Sequence, residues 1–122
     1  MYVSYNANPT TARVGDCTVR AISKATGQSW EKTYIDISLQ GLRMHDMPSA
    51  NHVWGSYLDE KGYTRHIIPF NTTVAEFAAN NAQGSYILAI SGHVVAVVDG
   101  DYYDTWDSGD EIPIYYWKKE KQ

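Results

Sequence analysis

Gly84-Ser85-Tyr86-Ile87-Leu88-Ala89-Ile90-Ser91-Gly92-His93-Val94-Val95-Ala96-Val97-Val98-Asp99-Gly100-Asp101-Tyr102-Tyr103-Asp104-Thr105-Trp106-Asp107 is the stretch from which the rest of this chain is read. Two short apolar runs flank a Gly-His pair, and such runs predict central strands over 85–90 and 94–98. Ser91-Gly92 and Asp99-Gly100 supply turns. A third, aromatic strand is expected over 102–106, antiparallel to the second, and a fourth over 112–117. His93 then stands at the start of a core strand, and a carboxylate returns on the strand beside it.

Upstream, the pattern changes to helical. Residues 1–12 read as an extended lead-in, with Pro9 disfavouring helix at Asn8. Asp16 is a plausible N-cap for a short helix whose inner face is Val19, Ile22 and Ala25, and Gly27 ends it. A second helix opens at Ser29-Trp30 and is expected to stop near Gly41. Pro48 to Glu60 predicts a third, ended by Gly62. A short strand over 63–69 follows, then a helix opened by the capping box Thr73-Val74-Ala75-Glu76 and closed near Asn81. Helices first and a meander last predict α+β, with N-terminal helices packed on one side of a C-terminal antiparallel sheet.

The chain has 122 residues, which suits one domain over 1–122 with its own core. Its formal net charge of −4 argues against non-specific nucleic-acid binding, which needs a basic footprint. The basic cluster Lys118, Lys119 and Lys121 reads as a solvated tail. A single cysteine excludes an internal disulfide or a cysteine-rich zinc site. No run is long enough to span a membrane as a helix. The first residues lack the pattern of a signal peptide, so a cytoplasmic location is expected. No cofactor and no metal are expected: His45, His52 and His66 make no zinc pattern, and 107–111 lacks calcium-loop spacing.

Cys17 falls in the first turn of the first helix, where unpaired N–H groups and the helix dipole favour a thiolate. A nearby imidazole can take and return a proton, and a carboxylate can orient that imidazole. Cys17, His93 and Asp104 supply the three residue types, with Asp107 as the rival carboxylate. Because strand parity sends Asp104 and Asp107 to opposite faces of a straight strand, at most one of them serves. Trp106 either shields the contact or fills core space.

Asp16-Cys17 at a helix head, Gly92-His93 opening an apolar strand and Asp104-Thr105-Trp106 ending the next resemble the papain-like cysteine peptidases. The whole chain, over residues 14–117, also resembles small peptidase-like proteins encoded by bacteriophages. The resemblance implies a papain-like fold in which Cys17 attacks a carbonyl, His93 is general base and then acid, and Asp104 orients His93. It implies a thiol-dependent hydrolase cleaving a peptide, isopeptide or related amide bond of a protein or peptide, in the host cytoplasm if phage-encoded. The family's oxyanion glutamine is replaced here by Thr11, which leaves Asn6, Asn8 and Thr11 as candidate donors beside the Cys17 backbone N–H. The alternative is a catalytically inactive, peptidase-like protein-interaction module whose tyrosines bind a partner. A nucleic-acid adaptor using aromatic stacking is a further, less favoured reading.

Overall fold

Each of the central strands is apolar at successive positions, and side chains of a strand alternate between the two faces of its sheet. Both faces therefore need cover, and the computed structural model, which describes residues 1–120, supplies it from both sides. Strand β1 is Tyr2–Ser4, followed by helices α1 (Cys17–Thr26), α2 (Trp30–Met44) and α3 (Asn51–Glu60). Strand β2 (Tyr63–Ile67) and helix α4 (Val74–Asn80) come next. Strands β3 (Ser85–Ile90), β4 (His93–Val98), β5 (Asp101–Asp104) and β6 (Tyr115–Lys119) complete the described chain. Among the described residues this is a mixed α+β fold of four helices and a six-stranded sheet, ordered β1-β5-β4-β3-β6-β2.

The core is split by the sheet. On one face, Ile22, Ile37, Trp54 and Leu58 pack against Ile87, Ala89, Val94, Ala96 and Trp117. On the other, Val74, Phe77 and Ala78 of α4 pack against Tyr86, Leu88, Val95, Val97 and Tyr102. The expectation of helices on one side only is thus corrected. The continuous apolar runs of β3 and β4, with no polar alternation, are the pattern of strands buried on both faces.

The sheet is also not purely antiparallel. β1 pairs in parallel with β5, Tyr2 opposite Tyr102 and Ser4 opposite Asp104, whereas the other pairings are antiparallel. β6 inserts between β3 and β2 instead of extending the meander. The hairpin turns stand where Gly92 (φ 70°), Asp99 (φ 50°) and Gly100 (φ 87°) adopt the positive φ that tight hairpins require. The Thr73–Glu76 capping box is formed in both directions. Lys118 and Lys119 belong to β6 rather than to a loose tail, and Lys119 Nζ donates to the Lys61 carbonyl at 2.6 Å. Lys121 lies outside the described residues.

Helix α2 runs past Gly41 to Met44 and is closed by His45 in the left-handed region. Gly41 is not a terminator but a contact point. A Cβ there would stand 2.7 Å from the Asp46 carbonyl oxygen and 3.2 Å from the Pro48 nitrogen. Both are backbone atoms that cannot swing aside. Gly41→Ala should therefore destabilise the protein by about 1–3 kcal/mol despite alanine's better helix propensity. Gly15→Ala, with nothing within 4 Å of the added carbon, should stay within about 0.5 kcal/mol. Urea unfolding of the two variants checks this, and equal midpoints would refute the packing role given to Gly41.

Candidate functional site

The site lies where the head of α1 meets the ends of β4 and β5. Cys17 is the first residue of α1 and Asp16 occupies its N-cap position. Asp16 makes no side-chain cap, contrary to expectation. Its carboxylate instead pairs with Arg20 one turn on and accepts from Trp30 Nε1 at 2.9 Å. Asp16 and Arg20 are both buried, so neither charge is left to solvent.

His93 opens β4, and Asp104 closes β5. The register pairs Ala96 with Tyr103 and Val97 with Tyr102, so alternation puts Asp104 on the face of Val95 and His93. His93 Nε2 meets Asp104 Oδ2 at 2.7 Å. Ser108 Oγ donates to the same oxygen at 2.7 Å, and Thr105 N donates to Oδ1 at 2.8 Å. Arg20 Nη2 stands 3.6 Å from Oδ1. Burial raises the Asp104 carboxyl, but His93, Ser108 and Thr105 outweigh it and hold the group below the ordinary 3.8. Burial opposes the charged form of His93, whereas Asp104 and the neighbouring Cys17 sulfur favour it, and the balance carries the imidazole up to about 9.

Asp107 is not the partner of His93. It accepts from Tyr102 Oη at 2.6 Å and from Gly109 N at 3.0 Å, closing the turn beyond β5. Trp106 leans over His93, with ring centroids 5.1 Å apart, and remains partly exposed. It covers the imidazole rather than filling the core.

Cys17 and His93 line one cleft of about 260 Å³, with Asn51, Trp54, Gly92 and Ser49. Burial raises the half-buried thiol, while His93, the Val94 backbone and the Arg20 charge lower it, and the net direction is down. The close contact of the site, however, is the one between His93 and Asp104 at 2.7 Å, and Sγ is not part of it.

This geometry corrects the expected thiol-dependent hydrolase working through a Cys17–His93–Asp104 triad. Two members are joined and the nucleophile is not, so no connected relay runs from thiol to carboxylate. The cysteine-peptidase and amidohydrolase reading falls with it, as do the thiol-protease and bacteriophage associations that accompanied it. No group of three His, Cys, Asp or Glu side chains among the described residues could hold a metal ion. No described helix is long and apolar enough to cross a membrane.

The oxyanion candidates sit elsewhere. Asn6 Nδ2 donates to the Thr11 and Ala12 carbonyls, and Asn8 Oδ1 accepts from Thr10. Thr11 Oγ1 donates to the Thr10 carbonyl. These three side chains fold the N-terminal loop on itself and line no part of the cleft. His52 pairs with Asp46 at 2.6 Å, His66 stacks on Tyr116, and His45 caps α2.

Arg20 and Ser108 escaped the sequence reading. An i, i+4 Asp-Arg pair at a helix start was a visible signal for the first; a serine in an acidic loop is no signal at all. A second concavity of about 310 Å³ adjoins the cleft and shares Gly15, Thr18 and Ser49 with it. Its walls include Val14, Val19, Ile37 and Pro48, closed by the stacked rings of Trp30 and Tyr34, 5.1 Å apart.

No family model, no curated protein and no solved structure matches the chain.

A raised imidazole contributes stability that is complete below its unfolded value near 6.5 and is lost as pH rises through about 9. The lowered Asp104 contributes above the ordinary 3.8 and loses that contribution as pH falls through its folded value. Asp104→Asn should therefore bring the His93 titration, followed by imidazole NMR, down from about 9 and flatten the alkaline limb of thermal stability. An imidazole titrating at the same pH in that variant would show that Asp104 does not set its charge.

Proposed function

We propose that the chain is a protein-interaction module: a single, catalytically inactive domain with a papain-peptidase-like arrangement, binding a peptide or protein partner. The observation that carries the reading is the groove formed by the two adjoining concavities. One end is an apolar pocket under the Trp30–Tyr34 stack, and the other is the His93 cleft. Small apolar-walled sites with a few placed polar groups are the usual shape of binding sites. The peptidase-like arrangement is supported by Cys17 heading a helix, His93 opening a strand and Asp104 ending the next.

The chemistry of the groove selects its ligand. Asp104 fixes one imidazole nitrogen, and an imidazolium donates from both. Near neutral pH the cleft thus presents a positive N–H beside an apolar pocket. A peptide carrying a carboxylate one or two residues from an apolar side chain satisfies both. Tyr34 supplies a rigid amphipathic ring at the mouth, the kind of side chain that dominates binding energetics.

The test is selection from a random peptide library by the intact chain, followed by titration of the enriched peptides. Val14 and Tyr34 are exposed, so Val14→Asp and Tyr34→Ala should leave folding intact and weaken binding about tenfold or more. Peptides incubated with the parent chain should remain whole. Failure to enrich any peptide, or amide cleavage that disappears in Cys17→Ala, would overturn the module reading.

A further inference from the structure

One end of the sheet gathers positive charge that no carboxylate answers. Strand parity sets it up. Trp117 lies on the face covered by α1, α2 and α3, so Lys119, two residues on, shares that face. Tyr63 stands opposite Lys119 on β2. The β3–β6 register pairs Ile87 with Trp117 and Tyr86 with Lys118, and one step further it sets Ser85 beside Lys119. The C-terminal ends of α1 and α3 bring Thr26, Gln28 and Lys61 over these three side chains. Together they wall a cavity of about 310 Å³, which shares no residue with the groove.

The two ammonium groups at this wall are half-buried and short of partners. Lys61 Nζ donates to Gln28 Oε1 at 2.9 Å, and Lys119 Nζ donates to the Lys61 carbonyl at 2.6 Å. Both acceptors are neutral. The carbonyl ends of α1 and α3 attract cations, but each ammonium carries several N–H donors and spends only one of them here. Among the described residues neither lysine enters an ion pair, although acidic residues outnumber basic ones 14 to 10 in the chain. Asp36, on which the Lys61 charge acts, is already engaged by Lys32 and by Tyr57 Oη, each at 3.0 Å. Ser85 Oγ, at the same wall, makes no hydrogen bond among the described residues.

We propose that this cavity binds a small phosphomonoester as its dianion, with Lys61 and Lys119 donating to the phosphate oxygens and Ser85 Oγ adding a third donor. Charge and donor count choose the ligand. Two cations without counter-ions match two negative charges in one group, which a phosphomonoester carries above its second pKa of about 6. A carboxylate brings one charge. The phosphate's terminal oxygens accept from several directions, which suits two ammoniums and a hydroxyl placed around one cavity. Lysine binds phosphate as a point charge and needs no bidentate geometry. The volume is at the low end for small-molecule sites and leaves room for the phosphate and a short organic group.

A nitrogen-15 NMR titration of the full chain, at low ionic strength and about pH 8, tests the proposal with inorganic phosphate, glycerol 3-phosphate and acetate. Glycerol 3-phosphate should give saturable shifts centred on the Ser85, Lys119 and Lys61 amides, and acetate should bind about tenfold more weakly or worse. Lys119 also holds the Lys61 carbonyl, so Lys61→Gln and Ser85→Ala, which leave that contact in place, are the variants to use. Both should keep the parent's circular dichroism, and Lys61→Gln should weaken glycerol 3-phosphate about tenfold. No saturable shift by about 10 mM would overturn the proposal, as would equal affinity for acetate or indifference to Lys61→Gln. Binding of inorganic phosphate without glycerol 3-phosphate, or of a phosphoserine peptide without it, would overturn the assignment to a small phosphomonoester.

Discussion

The guanidinium of Arg20 is buried between two carboxylates, and the junction of helix and sheet depends on it. A buried cation is tolerated only where opposite charge and hydrogen bonds replace its water. Asp16 and Asp104 supply them, one from the N-cap of α1 and the other from the last residue of β5. The chain of contacts extends at both ends. Trp30 on α2 donates to Asp16, while His93 on β4 and Ser108 in the following loop engage Asp104. One network therefore fixes α1 and α2 against the two strands whose ends form the cleft. The cleft's position follows from the location of this charge.

The same network shapes the chemistry beside it. Asp104 has both oxygens occupied: Oδ2 by His93 and Ser108, Oδ1 by Thr105 with Arg20 close by. A carboxylate so fully satisfied stays ionised and holds the imidazole charged. Cys17 lies in the cleft beside the His93–Asp104 pair, its thiol lowered by His93, the Val94 backbone and the Arg20 charge. The cleft therefore holds an imidazole whose charged form is favoured by Asp104 and by the neighbouring sulfur.

Local signals in the sequence carried much of the fold. Asp99-Gly100 marks its turn because two consecutive residues there need positive φ, and the Thr73–Glu76 box closes on itself within four residues. Period-two alternation tells only that Asp104 and Asp107 face opposite ways; the Thr105-Trp106 that follows it favours Asp104, and the register that puts it on the face of His93 comes from the structure. What the residues could not show is pairing across long separations. Tyr2–Ser4 gives no hint that it will run parallel to β5, and Tyr115–Lys119 none that it will enter between β3 and β2. Gly41 misled because a glycine kept for a close backbone contact reads like a glycine that ends a helix. The triad expectation failed on the same ground: residue types and order were visible, but the relative orientation of a thiol and a ring is a tertiary property.

Helix α2 carries more apolar side chains than its own fold consumes. Thr33, Ile37 and Gln40 face the interior, and Trp30 and Tyr34 line the groove. Ile35, Leu39 and Leu42 project to solvent on the remaining side. Beyond Glu31 in its first turn, only the side bearing Lys32, Asp36 and Arg43 is charged, so α2 exposes an apolar face although it lies at the surface. The sheet is already covered on both faces, so these side chains contribute nothing to the core of the chain that bears them. Isolated exposed apolar residues are ordinary, but a contiguous stripe on one helix face marks a surface made for contact. The groove and the stripe are therefore separate surfaces of one helix, the first lined by Trp30 and Tyr34 and the second by Ile35, Leu39 and Leu42.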